Sequence, residues 1–69
     1  MYQSATVIWF DSLKGIGEAS NPKGKTIFLR YDMIVNKPFK NLQAGESISC
    51  KTIKTPFGNL FAKNIRSKI

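Results

Sequence analysis

A chain of 69 residues has room for a single domain with a thin core; at this size only about 60% of the unfolded surface is buried, so marginal stability is expected. The lone cysteine, Cys50, excludes an internal disulfide, and without a histidine a zinc site would rest on one thiolate and a few carboxylates, which argues against structural zinc. Eleven Lys and Arg against four Asp and Glu leave a formal charge of +7, the footprint of a polyanion binder; with no long amphipathic helical pattern and no run of about 20 apolar residues, a membrane is not the expected anion.

Helical periodicity is nearly absent. Apolar residues fall in short runs punctuated by glycine, proline and asparagine, the spacing of a small barrel. A first strand is predicted over Ala5 to Asp11, where Thr6, Val7, Ile8, Trp9 and Phe10 suit a half-buried pleated surface. Asp11, Ser12 and Leu13 turn the chain, and a second strand starts near Lys14 and carries Gly15, Ile16, Gly17, Glu18 and Ala19. Asn21-Pro22-Lys23-Gly24 is a turn, since proline presets one dihedral and glycine supplies the left-handed one. The third strand is Thr26 to Arg30.

From Asp32 to Gly45 no strand fits, because Pro38 bars ladder pairing and Asn36 and Lys37 mark solvent; a long loop with one helical turn at its start is expected. Loops of this length in small domains usually serve function. Ser47 to Thr55 alternates apolar and polar as a fourth strand, Pro56-Phe57-Gly58-Asn59 turns the chain, and Leu60 to Ile65 is the fifth strand. The single domain spans 1–69, with its core in 5–65 and a frayed tail at 66–69.

Strand alternation sends Gly17, Ala19, Ile27 and Leu29 inward and leaves Lys14, Ile16, Glu18, Phe28 and Arg30 on the open face. Trp9 and Phe10 stand at a strand end where large aromatics also pack inward, so both placements are open from alternation alone. Phe57 and Phe61 are expected in core or edge packing. Gly15 and Gly17 lack the further glycines and the following helix of a nucleotide fingerprint, and are assigned to strand curvature.

Trp9-Phe10-Asp11, then Lys14-Gly15-Ile16-Gly17, then Ile27-Phe28-Leu29-Arg30-Tyr31 resemble the cold-shock domain family, whose first strand ends in Lys-Trp-Phe-Asn, whose second carries Lys-Gly-Phe-Gly-Phe and whose third reads Val-Phe-Val-His-Phe. Phe39-Lys40-Asn41-Leu42 and Gly45-Glu46 resemble the family's loop and the start of its fourth strand. The resemblance runs from Ala5 to Ile65, with about one residue lost before Thr26 and one gained before Asn64. It implies an all-β, five-stranded antiparallel barrel of the OB type that binds single-stranded RNA or DNA by stacking bases on strand aromatics. Carried onto this chain, the binding residues are Trp9, Lys14, Phe28, Arg30, Tyr31, Phe39 and Lys40.

Two departures bear on that expectation. Where the family has aromatics on the second strand, this chain has Ile16 and Glu18, and Ile8 replaces the lysine before the tryptophan. Each lost stack removes about 1 to 3 kcal/mol, and a carboxylate adds repulsion toward phosphate. Glu18 and Arg30 stand near a diagonal pairing in which an exposed ion pair would mute both charges; Arg30 itself can stack on a base.

The alternative occupant of the altered face is a protein, since Trp, Tyr and Arg dominate such contacts. No enzyme chemistry is expected: Cys50 has no histidine to activate it and alternates inward, and the carboxylates form no acid and base pair. No cofactor is expected, and a monomer in a reducing cytoplasm fits the single thiol and a start that lacks a signal-peptide pattern.

Overall fold

Extended, β-branched segments pair early and late in the chain to close a sheet on itself. The computed structural model describes residues 2–36 and 41–68. Strands β1 (Gln3–Asp11), β2 (Ile16–Ser20), β3 (Thr26–Arg30), β4 (Ser47–Lys54) and β5 (Leu60–Ser67) form a closed barrel in the order β1-β2-β3-β5-β4, with β4 returning to β1. A 3-10 turn at Tyr31–Met33 opens the long connection, where one helical turn is expected.

Four of the five strand pairings are antiparallel, but β3 and β5 run parallel, Ile27 beside Leu60 and Phe28 beside Phe61. The barrel is thus mixed and not purely antiparallel as expected. The long connection makes this possible, because it carries the chain across the barrel end before β4 and β5 form their hairpin. β2 begins at Ile16, later than expected, because the Asp11 carboxylate accepts the N–H groups of Leu13 (3.0 Å) and Lys14 (3.1 Å) and Gly15 takes φ 70°. β5 runs through Ser67, so the expected fraying at Arg66 and Ser67 is overturned: both pair with β4, at Ser49 and Ile48, and the Ser67 hydroxyl donates to the buried Glu46 carboxylate.

Two bulges decide which side chains face outward. In β1 the register passes from Val7↔Ala19 to Trp9↔Glu18, so Ile8 is one extra residue against β2. Ala5 and Val7 point inward before it, and half-buried Phe10 packs on the core after it, leaving Ile8 and Trp9 both outside. In β5 the register passes from Lys51↔Lys63 to Ser49↔Arg66, with Asn64 at φ 53°. Asparagine tolerates this left-handed geometry. The result puts Lys63 and Arg66 outside while Ala62, Ile65 and Ser67 face in.

Among the described residues the core is a cluster of Ala5, Val7, Ala19, Ile27, Leu29, Ile34, Leu42, Ile48, Cys50, Ala62 and Ile65. Ile34 and Leu42 come from the long connection and close one barrel end; Asn36 ties that connection to β5 through two hydrogen bonds of 3.0 Å with the backbone of Ser67. No helix among the described residues is long and apolar enough to cross a membrane.

Candidate functional site

The bulge at Ile8 delivers Trp9 to the outer surface, where it is 40% exposed and lies opposite Glu18 on β2. Glu18 in turn faces Phe28 on β3, and Ile16 faces Arg30. Because the strands are neighbours and these positions share one parity, Trp9, Ile16, Glu18, Phe28 and Arg30 line a single apolar hollow of about 240 Å³. Gly17 forms its floor. A Cβ there would meet the Trp9 carbonyl oxygen at 2.5 Å and the Phe10 ring at 2.6 Å, so the absence of a side chain lets β1 lie close against β2.

Phe61 completes the hollow. Its ring lies 5.4 Å from that of Phe28, tilted by 34°, which extends the aromatic surface from β3 onto β5. Core or edge packing is the expectation for Phe61, yet it is 37% exposed. The signal that finds it is alternation: Ala62 is small enough for the tapering interior, so Phe61 takes the outward position beside it. Phe57, likewise expected to pack, projects from the β4–β5 turn at 92% exposure, where Gly58 and Asn59 hydrogen-bond back to Thr55 and leave no sheet surface beneath the ring.

Lys14 and Tyr31 are placed elsewhere. Together with Ser12, Leu13 and Gly15 they line a second hollow at the end of the β2–β3 pair. The Tyr31 N–H donates to the Gly15 carbonyl at 2.8 Å and its ring lies against Gly15, where a Cβ would approach to 2.5 Å. Tyr31 remains 50% exposed. Phe39 and Lys40 lie outside the described residues.

The expected Glu18–Arg30 pair does not form. Glu18 is flanked across the ladder by Trp9 and Phe28, whereas Arg30 turns to Asp32 in the following 3-10 turn, with Nη2 to Oδ2 at 3.3 Å. Both partners are well exposed, so this pair contributes little to stability. Glu18 therefore lies within the aromatic surface with no salt bridge to Arg30. Cys50 is fully buried in the core, and burial pushes its thiol up from the ordinary value of 9.0, which places it away from any surface chemistry.

No protein-family model matches the chain. Individual relatives do. Over 47 residues it is 36% identical to major cold shock protein CspA of Pseudomonas aeruginosa, covering 68% of each chain. Over 52 residues it is 33% identical to cold shock-like protein CspLB of Listeria monocytogenes, covering 75% of this chain and 79% of the relative. Over 47 residues it is 34% identical to cold shock protein CapB of Pseudomonas syringae, covering 68% of each. With a closed five-stranded OB-type barrel and a tryptophan and two phenylalanines on its outer wall, and with relatives matched over two thirds or more of their length, the chain belongs to the cold shock protein family.

Proposed function

We propose that this chain binds single-stranded nucleic acid without catalysis, stacking bases on Trp9, Phe28 and Phe61 and meeting phosphate with Arg30, while Lys14 and Tyr31 extend the contact at the end of β2 and β3. Phe39 and Lys40 belong to the same proposal. The observation that carries it is the apolar hollow between Trp9, Phe28 and Phe61 on the outside of a closed barrel, in a chain of charge +7. Aromatic rings beside cations suit a single strand, since every base has a π-face and every nucleotide a phosphate. RNA is the proposed ligand, in the cytoplasm, by a monomer; holding RNA open as a chaperone is the proposed cellular role.

Trp9 is the chain's sole tryptophan, so it reports its own occupancy. Titrating a short pyrimidine-rich oligonucleotide should quench its fluorescence, with RNA bound more tightly than DNA of the same sequence. Affinity should fall with salt at a log–log slope of about −0.7 per phosphate contacted. Binding that ignores salt, or that survives intact in a Trp9→Ala, Phe28→Ala variant followed through the anisotropy of a labelled oligonucleotide, rejects the proposal.

The exposed aliphatics favour a second reading. Ile8 and Ile16 are 49% and 43% exposed on either side of Trp9, an apolar margin that suits a protein partner better than a phosphate chain. In that reading Ile16→Phe with Glu18→Phe strengthens strand binding while weakening the protein complex.

A further inference from the structure

The charge of this chain is not where its aromatic surface is. Residues 3–33, which carry β1, β2, β3 and the 3-10 turn, hold four cations against three carboxylates, and Glu18 lies within the hollow itself. Residues 47–68, which carry β4 and β5, hold five cations and no carboxylate. Lys51 and Lys63 face each other directly across the β4–β5 ladder, an arrangement of like charges that opposes folding. Asn64's bulge adds Arg66 to the same outer wall. The Tyr2 ring then gathers two of these cations, the Lys51 ammonium at 5.5 Å and the Arg66 guanidinium at 6.0 Å from its centroid.

We infer that the outer wall of β4 and β5, centred on Tyr2, Lys51, Lys63 and Arg66, is a second contact surface for the same single strand, taking the phosphates that leave the aromatic hollow. The path is continuous. Phe61 lies two residues before Lys63 with the same outward parity, so a strand stacked on Phe28 and Phe61 meets Lys63 and Lys51 next. A phosphate chain there relieves the repulsion between the facing lysines, and Tyr2, 39% exposed, offers a ring to a base. This surface rests on the reading of the chain as a strand binder, and it divides the labour of that reading: β1 to β3 stack bases, and β4 and β5 supply the electrostatic grip.

The test compares two variants of equal charge, Lys51→Gln with Lys63→Gln and Lys23→Gln with Lys25→Gln, on oligonucleotides of about 4 and about 16 nucleotides, the range of single-barrel site sizes. Two phosphate contacts at a slope of about −0.7 each correspond to about 25-fold at about 0.1 M salt, measured against a 1 M reference. The expected result is a loss of that size for the Lys51, Lys63 variant on the long oligonucleotide, with the salt slope shallower by about 1.4. On the short oligonucleotide it should bind within about threefold of the parent, which also shows that it is folded; the Lys23, Lys25 variant should stay within that range on both lengths. Unchanged long-oligonucleotide binding, an equal loss on both lengths, an equal loss in both variants, or loss confined to a polyglutamate probe overturns the inference. Failure of the stacking site is read separately, because Trp9→Ala with Phe28→Ala then leaves short-oligonucleotide binding intact.

Discussion

Phe28 on β3 and Phe61 on β5 touch across the barrel's parallel pairing, their ring centroids 5.4 Å apart. The contact turns two isolated outward rings into one continuous surface, and it makes Phe61 as much a part of the hollow as Trp9.

Phe61→Ala should therefore weaken oligonucleotide binding by about 5- to 150-fold, the loss of one stacked base at about 1 to 3 kcal/mol. Because the ring is substantially exposed, the thermal unfolding midpoint should move little. Fluorescence titration beside a melting curve separates the two, and a variant that melts early yet binds normally assigns Phe61 to packing.

Ile16 and Glu18 lie in the same hollow as Trp9 and Phe28. Replacing both by phenylalanine should raise affinity by at least tenfold, since each new stack adds about 1 to 3 kcal/mol. Glu18→Gln alone should give a smaller gain that shrinks as salt rises, because it removes only repulsion. Affinity measured at two ionic strengths distinguishes these contributions; a gain from Glu18→Gln that is independent of salt contradicts the electrostatic account.

Gly17→Ala should destabilise the barrel by several kcal/mol, because the new methyl meets backbone at 2.5 Å, the Trp9 carbonyl oxygen, and has no flexible neighbour to displace on that side. Urea unfolding measures it. A variant within about 0.5 kcal/mol of the parent would show that β1 and β2 can separate at no penalty.

The raised thiol of Cys50 links stability to alkaline pH. Its folded value lies above its unfolded one, so the stabilisation is fully present below pH 9.0 and is lost as pH rises from there through the folded value. Cys50→Ala removes that share of the alkaline decline while costing stability at neutral pH through the cavity it leaves. The difference between the two unfolding curves from pH 8 to 11, about the range of this titration, isolates the thiol from the lysines and tyrosines. Parallel curves contradict the assignment.

Much of the fold is legible in the sequence where local chemistry is decisive. Asn21 shows why: its side chain accepts the N–H groups of Lys23 (3.0 Å) and Lys25 (2.9 Å) and Gly24 takes φ 81°, so the turn needs nothing beyond its own residues. The third strand, Thr26 to Arg30, follows from alternation alone and is found with those bounds. What depends on distant partners is not legible. The parallel β3–β5 pairing joins residues more than thirty positions apart, so although alternation gives the outward side of Phe61, its contact with Phe28 stays hidden. The residue gained before Asn64 shows as an irregular spacing, but its effect, a bulge that brings Arg66 outside, requires the register of β4. Arg30 is assigned to the open face correctly, and its partner is missed because Asp32 reaches it only once the 3-10 turn forms.

The extra residue at Ile8 has a consequence for how this wall can change. β1 is read in two frames: up to Val7 its odd positions, Ala5 and Val7, line the interior, and beyond Trp9 the even position Phe10 packs on the core instead. A break in frame uncouples the two halves of one strand. The half carrying Trp9 can be rewritten or re-aimed for a new ligand while the half that seals the barrel keeps its sequence; deleting that single residue would restore plain alternation, with Val7 inward, the tryptophan still outward and Phe10 inward, and would tie the two halves to one frame again.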